Sequence, residues 1–283
     1  MDGESDAGPW CGPQEWRPQR REIAGLIAGA ALGAEWPPLL ARPRAGPVAL
    51  WAADRAGHGV FGLDADGFVA LRTTVVAPER VSAAPGGACF VDARPGGRRD
   101  GPRARWLVRA DGSISPVERP RSASSATLEG WEDALGAHEL PIVAATRSRP
   151  AGSRRVWVLR SATSAGASRL ERWSRGPDRT WRRAFLFVLE FSARALAGAR
   201  GDVWVVGDRV PRVLLATRRG RVVLSRTLPD LDGADALLSA SRASGGGVWI
   251  AAGGAIARLD RTGRRLPGQG GFRHVVSLAP ALG

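Results

Sequence analysis

The sequence holds three histidines, His58, His138 and His274, and each suggests different chemistry. His138 is followed by Glu139, and a His–carboxylate pair can act as a general base. His274 precedes the apolar run "VVSLAP", which reads as an innermost strand, so His274 is a candidate ligand contact at a channel. His58 sits in "RAGHGV" and reads as a solvated turn residue. Among the acids, Asp54 and Asp92 occupy matching places after apolar runs, in "WAAD" and "CFVD", and Asp208 is near that place in "WVVGD". Oxygen ligands repeated along one rim could hold a divalent cation. The competing reading for these residues, and for Asp64, Asp66 and Asp260, is a turn cap bonding its own backbone. The turn reading takes precedence, so no cofactor is required and a divalent cation is the one group the pattern would accommodate.

The formal net charge is +14, and all 41 basic residues are Arg. The sequence has no Lys, Asn or Tyr, the types encoded by A- and T-rich codons, so a GC-rich bacterial genome accounts for the Arg excess without a nucleic-acid partner. Residues 147–183 still carry eleven Arg among Trp157, Trp173 and Trp181. Basic plus aromatic is a polyanion-binding pattern, with Arg154, Arg155, Arg172, Arg175, Arg182 and Arg183 as its candidate contacts. Alternation along strands would point Arg and Trp to opposite faces, so a solvated blade with buried Trp is expected and polyanion binding is not favoured. The two cysteines, Cys11 and Cys89, allow one bridge and no metal cluster. No nucleophile elbow, phosphate loop or zinc spacing is present. The longest apolar run, "IAGLIAGAALGA" at 23–34, is too short to span a bilayer. It follows Arg20-Arg21 like the core of an export signal, but the acidic residues upstream argue against one and the compartment stays open.

The elements that would position these groups recur. An apolar-Trp-apolar phrase appears around Trp51, Trp157, Trp204 and Trp249, with "ACF" as a copy that puts Cys89 in the Trp place. Trp157 and Trp204 lie 47 residues apart, and Trp204 and Trp249 lie 45 apart. Each phrase follows a small-apolar run ending in Gly or a turn, such as "LLARPRAG" at 39–46. Each precedes an alternating run closed by a turn, such as "VFGLDADG" or "RVLLATRRG". A last short run completes the copy. These are short alternating strands with Gly-bearing turns, four to a repeat, which is the period of a propeller blade. The fold is therefore expected to be all-β, a β-propeller of five or six four-stranded antiparallel blades, with the repeated Trp side chains packed between blades. Ile256 and Leu259 fall out of strict alternation and mark a bulge.

Cys89 and Trp157 lie 68 residues apart, too far for one repeat, which places an insertion at 119–141 on one rim. Within it, "LEGWEDALG" reads as one or two helical turns after Thr127. Residues 1–37 read as an irregular segment, either a mis-started export signal or the ring-closing partners of the tail "RHVVSLAPALG", and 38–283 as the propeller.

The phrases "GGGVWIAAGGAIARLDRTGRRL" and "GDVWVVGDRVPRVLLATRRGRVVL" resemble the repeats of NHL-type and streptogramin-lyase-like propellers, over roughly residues 39–283. The resemblance implies the architecture, while its chemistry transfers poorly. Gluconolactonase-type propellers hold a divalent cation with Glu, Asn and Asp, and this chain has no Asn. Streptogramin lyases use a His and a Glu in the closing blades, and here no acid follows His274. The expected function is accordingly a non-catalytic binding or scaffold role, with a protein or small ligand engaged at a rim or channel mouth by a monomer without a transmembrane segment. A metal-assisted lyase or lactonase-like hydrolase is the alternative, and a polyanion binder is the third reading.

Overall fold

The strands expected from the repeats form five four-stranded antiparallel sheets. This computed structural model describes residues 46–94, 103–117, 142–147, 155–160, 167–199, 201–207, 212–229 and 239–282, together with Leu135, Leu140 and Leu231. Blade I contains β1 (Leu50–Asp54), β2 (Gly59–Leu63) and β3 (Val69–Thr74), and blade II β4 (Pro78–Ala83), β5 (Cys89–Ala93), β6 (Ala104–Val108) and β7 (Ile114–Pro116). Blade III contains β8 (Ile142–Arg147), β9 (Arg155–Arg160), β10 (Ser168–Arg175) and β11 (Trp181–Leu189). Blade IV contains β12 (Ala193–Ala199), β13 (Asp202–Gly207), β14 (Arg212–Ala216) and β15 (Val222–Thr227). Blade V contains β16 (Ser239–Arg242), β17 (Val248–Ala252), β18 (Ala255–Leu259) and β19 (Arg265–Gly270). The last strand, β20 (Val275–Pro280), pairs with β1 and supplies the innermost strand of blade I.

That closure differs from the expectation that "LLARPRAG" would lead the first blade, while the expected pairing of residues 15–37 with the tail falls on residues outside those described. Residues 1–45 lie outside the described residues, and the innermost place in blade I belongs to β20. The bulge expected near Ile256 is present, as a register shift between Ile256 and Arg258 against β19.

Alternation decides which neighbour each residue meets. In β13, Val203 and Val205 pack against blade III, while Trp204 and Val206 pack against blade V. In β1, Leu50 and Ala52 face blade V, and Trp51 and Ala53 face blade II. Apolar cores thus join III to IV, IV to V, V to I and I to II. A blade buries its faces only against neighbours, so these shared cores hold the ring.

Two hydrogen-bonded or steric devices repeat with the cores. Trp51 Nε1 donates to the Gly87 carbonyl at 3.0 Å, Trp157 Nε1 to Gly201 at 3.4 Å, and Trp204 Nε1 to Gly246 at 3.0 Å. Each bond runs from one blade to a turn of the next, so the indole is both core filler and latch. In blades I, II, IV and V the glycine that closes the outer hairpin also packs on the preceding blade. Gly220 has φ +79° and lies against the Phe185 ring, where a Cβ would collide, and Gly263 has φ +80° and lies against Leu224.

Cys89 does not occupy the Trp place. Trp51, Trp204 and Trp249 pair with Gly62, Leu215 and Arg258, each two residues before the residue that opens its hairpin turn. In blade II that partner is Leu107, and it pairs with Phe90. The phrase "ACF" is therefore displaced by one residue, and Cys89 faces the core shared with blade I. Burial pushes its thiol up to about 12, which leaves it uncharged and unreactive.

The face of blade III that looks toward blade II is different from the other junctions. Ile142, Val156, Val158 and Trp173 pack there with Leu135 of the insertion. Leu140 of the same insertion accepts a hydrogen bond from Arg160 at 2.9 Å. These two residues lie on the flank of blade III. The proposed helical turns at 128–136 otherwise fall outside the described residues, as do His138 and Glu139.

Candidate functional site

The five innermost strands surround a central channel, and their C-terminal ends line a cavity of about 820 Å³. Thr146, Ser82 and Ser241 come from β8, β4 and β16, and Arg242 and Ser244 are exposed residues of the lining. Most other lining residues are Ala, Gly or Leu. Small residues are dictated here because inner strands converge, so large side chains would fill the channel.

Ser241 is only 5% exposed, and its Oγ has no hydrogen-bond partner. A buried hydroxyl left unpaired costs about 1–3 kcal/mol. Arg242 is exposed and is the single ionisable side chain among the described residues lining the cavity. Nothing in its residue type or spacing distinguished Ser241 in the sequence. The signal was positional: "SASR" is the innermost strand of the best-formed repeat.

The site residues expected from the sequence lie elsewhere. His274 does precede the innermost strand β20, but it is at the strand's start, and the cavity is lined by the strand's end. Its backbone N–H donates to Asp54 Oδ1 at 2.8 Å and its carbonyl accepts from Arg55 N at 2.9 Å. Its Nε2 is buried without a partner. His58 holds a left-handed turn with φ +51°, and its Nδ1 accepts from the Ala77 N–H at 3.2 Å.

The metal candidates are already engaged. Asp54 accepts from the backbone N–H groups of Gly57, Arg273 and His274, tying the first hairpin of blade I to the entry of β20. Asp92 is held by both arms of Arg105, at 2.8 and 3.0 Å. Asp208 lies outside the described residues. Asp64 and Asp260 cap their own hairpins, and the Thr262 hydroxyl donating to Asp260 holds that carboxyl below its usual range. Among the described residues no three His, Cys, Asp or Glu side chains come together as a metal would need. The described donors do not make a divalent-cation site, and no step is assigned to one.

The polyanion candidates do not share one free face. Arg172 stacks on Trp157 at 5.9 Å and packs with Phe185 on the side facing blade IV. Arg183 reaches Glu171 on the opposite side at 3.2 Å. Arg182 is paired with Asp178 at 3.0 Å, and Arg175 lies over Trp181 at 6.0 Å while bonding the Arg179 carbonyl. Arg155 is exposed, and Arg154 lies outside the described residues. The expected separation of Arg from Trp is also corrected. Alternation separates neighbours along one strand, whereas Arg172 and Trp157 sit directly opposite on adjacent strands and share a face.

One charged cluster was missed. Glu171 is buried and accepts from Arg160 Nε at 3.0 Å, Trp173 Nε1 at 2.8 Å and Arg183 at 3.2 Å. Burial pushes its pKa up, but the hydrogen bonds from Trp173 and Arg160 and the Arg160 charge outweigh this, and the net direction is down. A Glu between two Arg on alternating strands has no distinctive sequence spacing.

No family model and no curated protein matches the sequence. Solved structures do. A calcium-binding protein, regucalcin, from Agrobacterium tumefaciens is 14% identical, over 80% of this chain and 72% of that one, with a TM-score of 0.32. A luciferin-regenerating enzyme is 13% identical, over 83% and 76%, with a TM-score of 0.31. A gluconolactonase from Xanthomonas campestris is 14% identical, over 80% and 78%, with a TM-score of 0.31. The expected all-β propeller architecture is the one that the five four-stranded antiparallel sheets form. The expectation of a non-catalytic scaffold is corrected by this set, in which two of the three proteins are described as enzymes and the third as calcium-binding. Among the described residues no helix is long and apolar enough to cross a membrane.

Proposed function

We propose that the protein hydrolyses a small hydroxylated lactone held in its central channel. The observation that carries this reading is the cavity of about 820 Å³ whose lining includes the hydroxyl residues Ser82, Thr146 and Ser241, the last with a buried, unpartnered Oγ. In hydrolysis, water adds to the carbonyl carbon, the ring C–O bond breaks, and the departing alkoxide takes the proton that the water loses. A lactone is a reactive ester, so modest assistance suffices. Ser241 can donate to the carbonyl oxygen as negative charge develops there, and a preorganised donor in a water-poor site is worth far more than one in bulk water. Ser82 and Thr146 line the same cavity and can hold substrate hydroxyls. Removal of one such donor typically lowers turnover by about 10²–10³-fold.

The test is hydrolysis of D-glucono-1,5-lactone above its spontaneous rate, followed by proton release. Wild type should accelerate it, Ser241→Ala should lose most of the acceleration, and a chelator should leave the rate unchanged because no cation site is assigned. Absence of any acceleration over a panel of aldonolactones and simple esters would end the reading.

A further inference from the structure

We infer that the channel selects an anionic ligand, carrying a carboxylate or phosphate besides its hydroxyls, and that Arg242 is the residue that selects it. The inference takes its site from the reading above and adds the charge of what enters it. Three observations converge. Arg242 is the single ionisable side chain among the described residues of the lining, so no carboxylate there offsets its charge. Several guanidinium groups on the blades have carboxylate partners: Arg105 on Asp92, Arg160 and Arg183 on Glu171, Arg261 on Asp202. Among the described residues Arg242 makes no ion pair, and it is exposed within the lining. Its chain neighbour Ser241 belongs to the same lining and has a buried Oγ without a hydrogen-bond partner.

A guanidinium matches a planar carboxylate or a phosphate with two parallel hydrogen bonds. The formal net charge of +14 adds a field that draws anions toward the surface. A neutral polyol would satisfy Ser241 and leave Arg242 solvated. An anion of the same size satisfies both, so discrimination between the two rests on Arg242.

The experiment is calorimetric titration of the full-length protein with D-glucarate, an anion, and with D-glucitol, a neutral polyol of the same chain length. Wild type should bind D-glucarate at least about tenfold more tightly, the difference expected of one charge-assisted hydrogen-bond pair. Arg242→Gln should bring D-glucarate down to the level of D-glucitol, and Arg242→Lys should restore part of the difference. Arg219→Gln removes the same unit of charge from an exposed hairpin turn and should keep the preference. Equal or absent binding of the two probes by wild type, or a preference that survives Arg242→Gln, overturns the inference. A protein that turns over no lactone yet binds D-glucarate through Arg242 ends the hydrolase reading and keeps this one. Hydrolysis of D-glucono-1,5-lactone without any Arg242-dependent preference does the reverse.

Discussion

Replacing Trp204 with Phe isolates the contribution of the inter-blade latch. The indole ring is fully buried in the core shared by blades IV and V, and its Nε1 donates to the Gly246 carbonyl at 3.0 Å in a buried setting. Phe keeps one aromatic ring and loses the second ring and the donor. The lost volume costs about 1–2 kcal/mol. The orphaned carbonyl and missing bond cost about 1 kcal/mol more, for a total of about 2–3 kcal/mol. Trp249→Phe is the matched control. Trp249 fills the equivalent place between blades V and I, but its face is covered by Arg258 at 5.2 Å and its indole N–H makes no hydrogen bond among the described residues. Its cost should be the volume alone, about 1–2 kcal/mol. The assay is urea unfolding followed by far-ultraviolet circular dichroism, with a shared slope for all variants. Trp51→Phe should fall close to Trp204→Phe. Trp157→Phe should lie nearer the control, because its bond to Gly201 is longer, 3.4 Å against 3.0 Å for Trp51. Equal losses for Trp204→Phe and Trp249→Phe would refute the latch and leave only packing.

Gly220→Ala should destabilise by about 2–3 kcal/mol, since φ +79° is strained for Ala and the new methyl meets the Phe185 ring. Gly86→Ala, with φ +68° but open space around the Cβ, should cost only the strain, about 1 kcal/mol, in the same unfolding assay. Glu171→Gln leaves Arg160 buried beside a neutral amide and should cost about 3–5 kcal/mol. Because the folded Glu171 carboxyl is held below its ordinary value, its stabilisation is present in full above the unfolded carboxylate range and is lost as pH falls through the folded value. Wild type should therefore lose stability on acidification, and the Glu171→Gln variant should show a shallower loss when unfolding midpoints are compared between pH 7 and pH 3.

The blade pattern was legible because alternation and turn chemistry are local. "DVWVVG" and "GVWIAA" announce buried strands by themselves, and Gly220 and Gly263 announce their hairpins. What was not legible depended on partners distant in sequence. Cys89 looked like the Trp substitute because it stands second in its phrase, and only pairing with β6 shows that Phe90 faces Leu107. Arg172 and Trp157 looked destined for opposite faces, and only the register across β9 and β10 makes them neighbours. The candidate site was read least well. His274, Asp54 and Asp92 carry the chemically expressive side chains, yet these acids serve backbone amides and a guanidinium. The channel is instead lined by Ser and Ala, whose importance lies in where inner strands converge. Residue type speaks loudly for ions and weakly for cavities.

Closure of blade I by β20 also governs how the chain comes together during synthesis. As the ribosome delivers the polypeptide, β1, β2 and β3 emerge early but lack their innermost partner until more than two hundred further residues have followed. Until then β1 presents an unpaired edge, which invites strand addition by other chains. Blades II to V can form from local hairpins in the meantime, whereas the last docking step joins the most distant segments and is slow on loop-closure grounds. A chain stopped before Val275 should thus accumulate as a ring with one raw edge. Chaperone dependence and aggregation are then expected to depend more on β20 than on any blade interior.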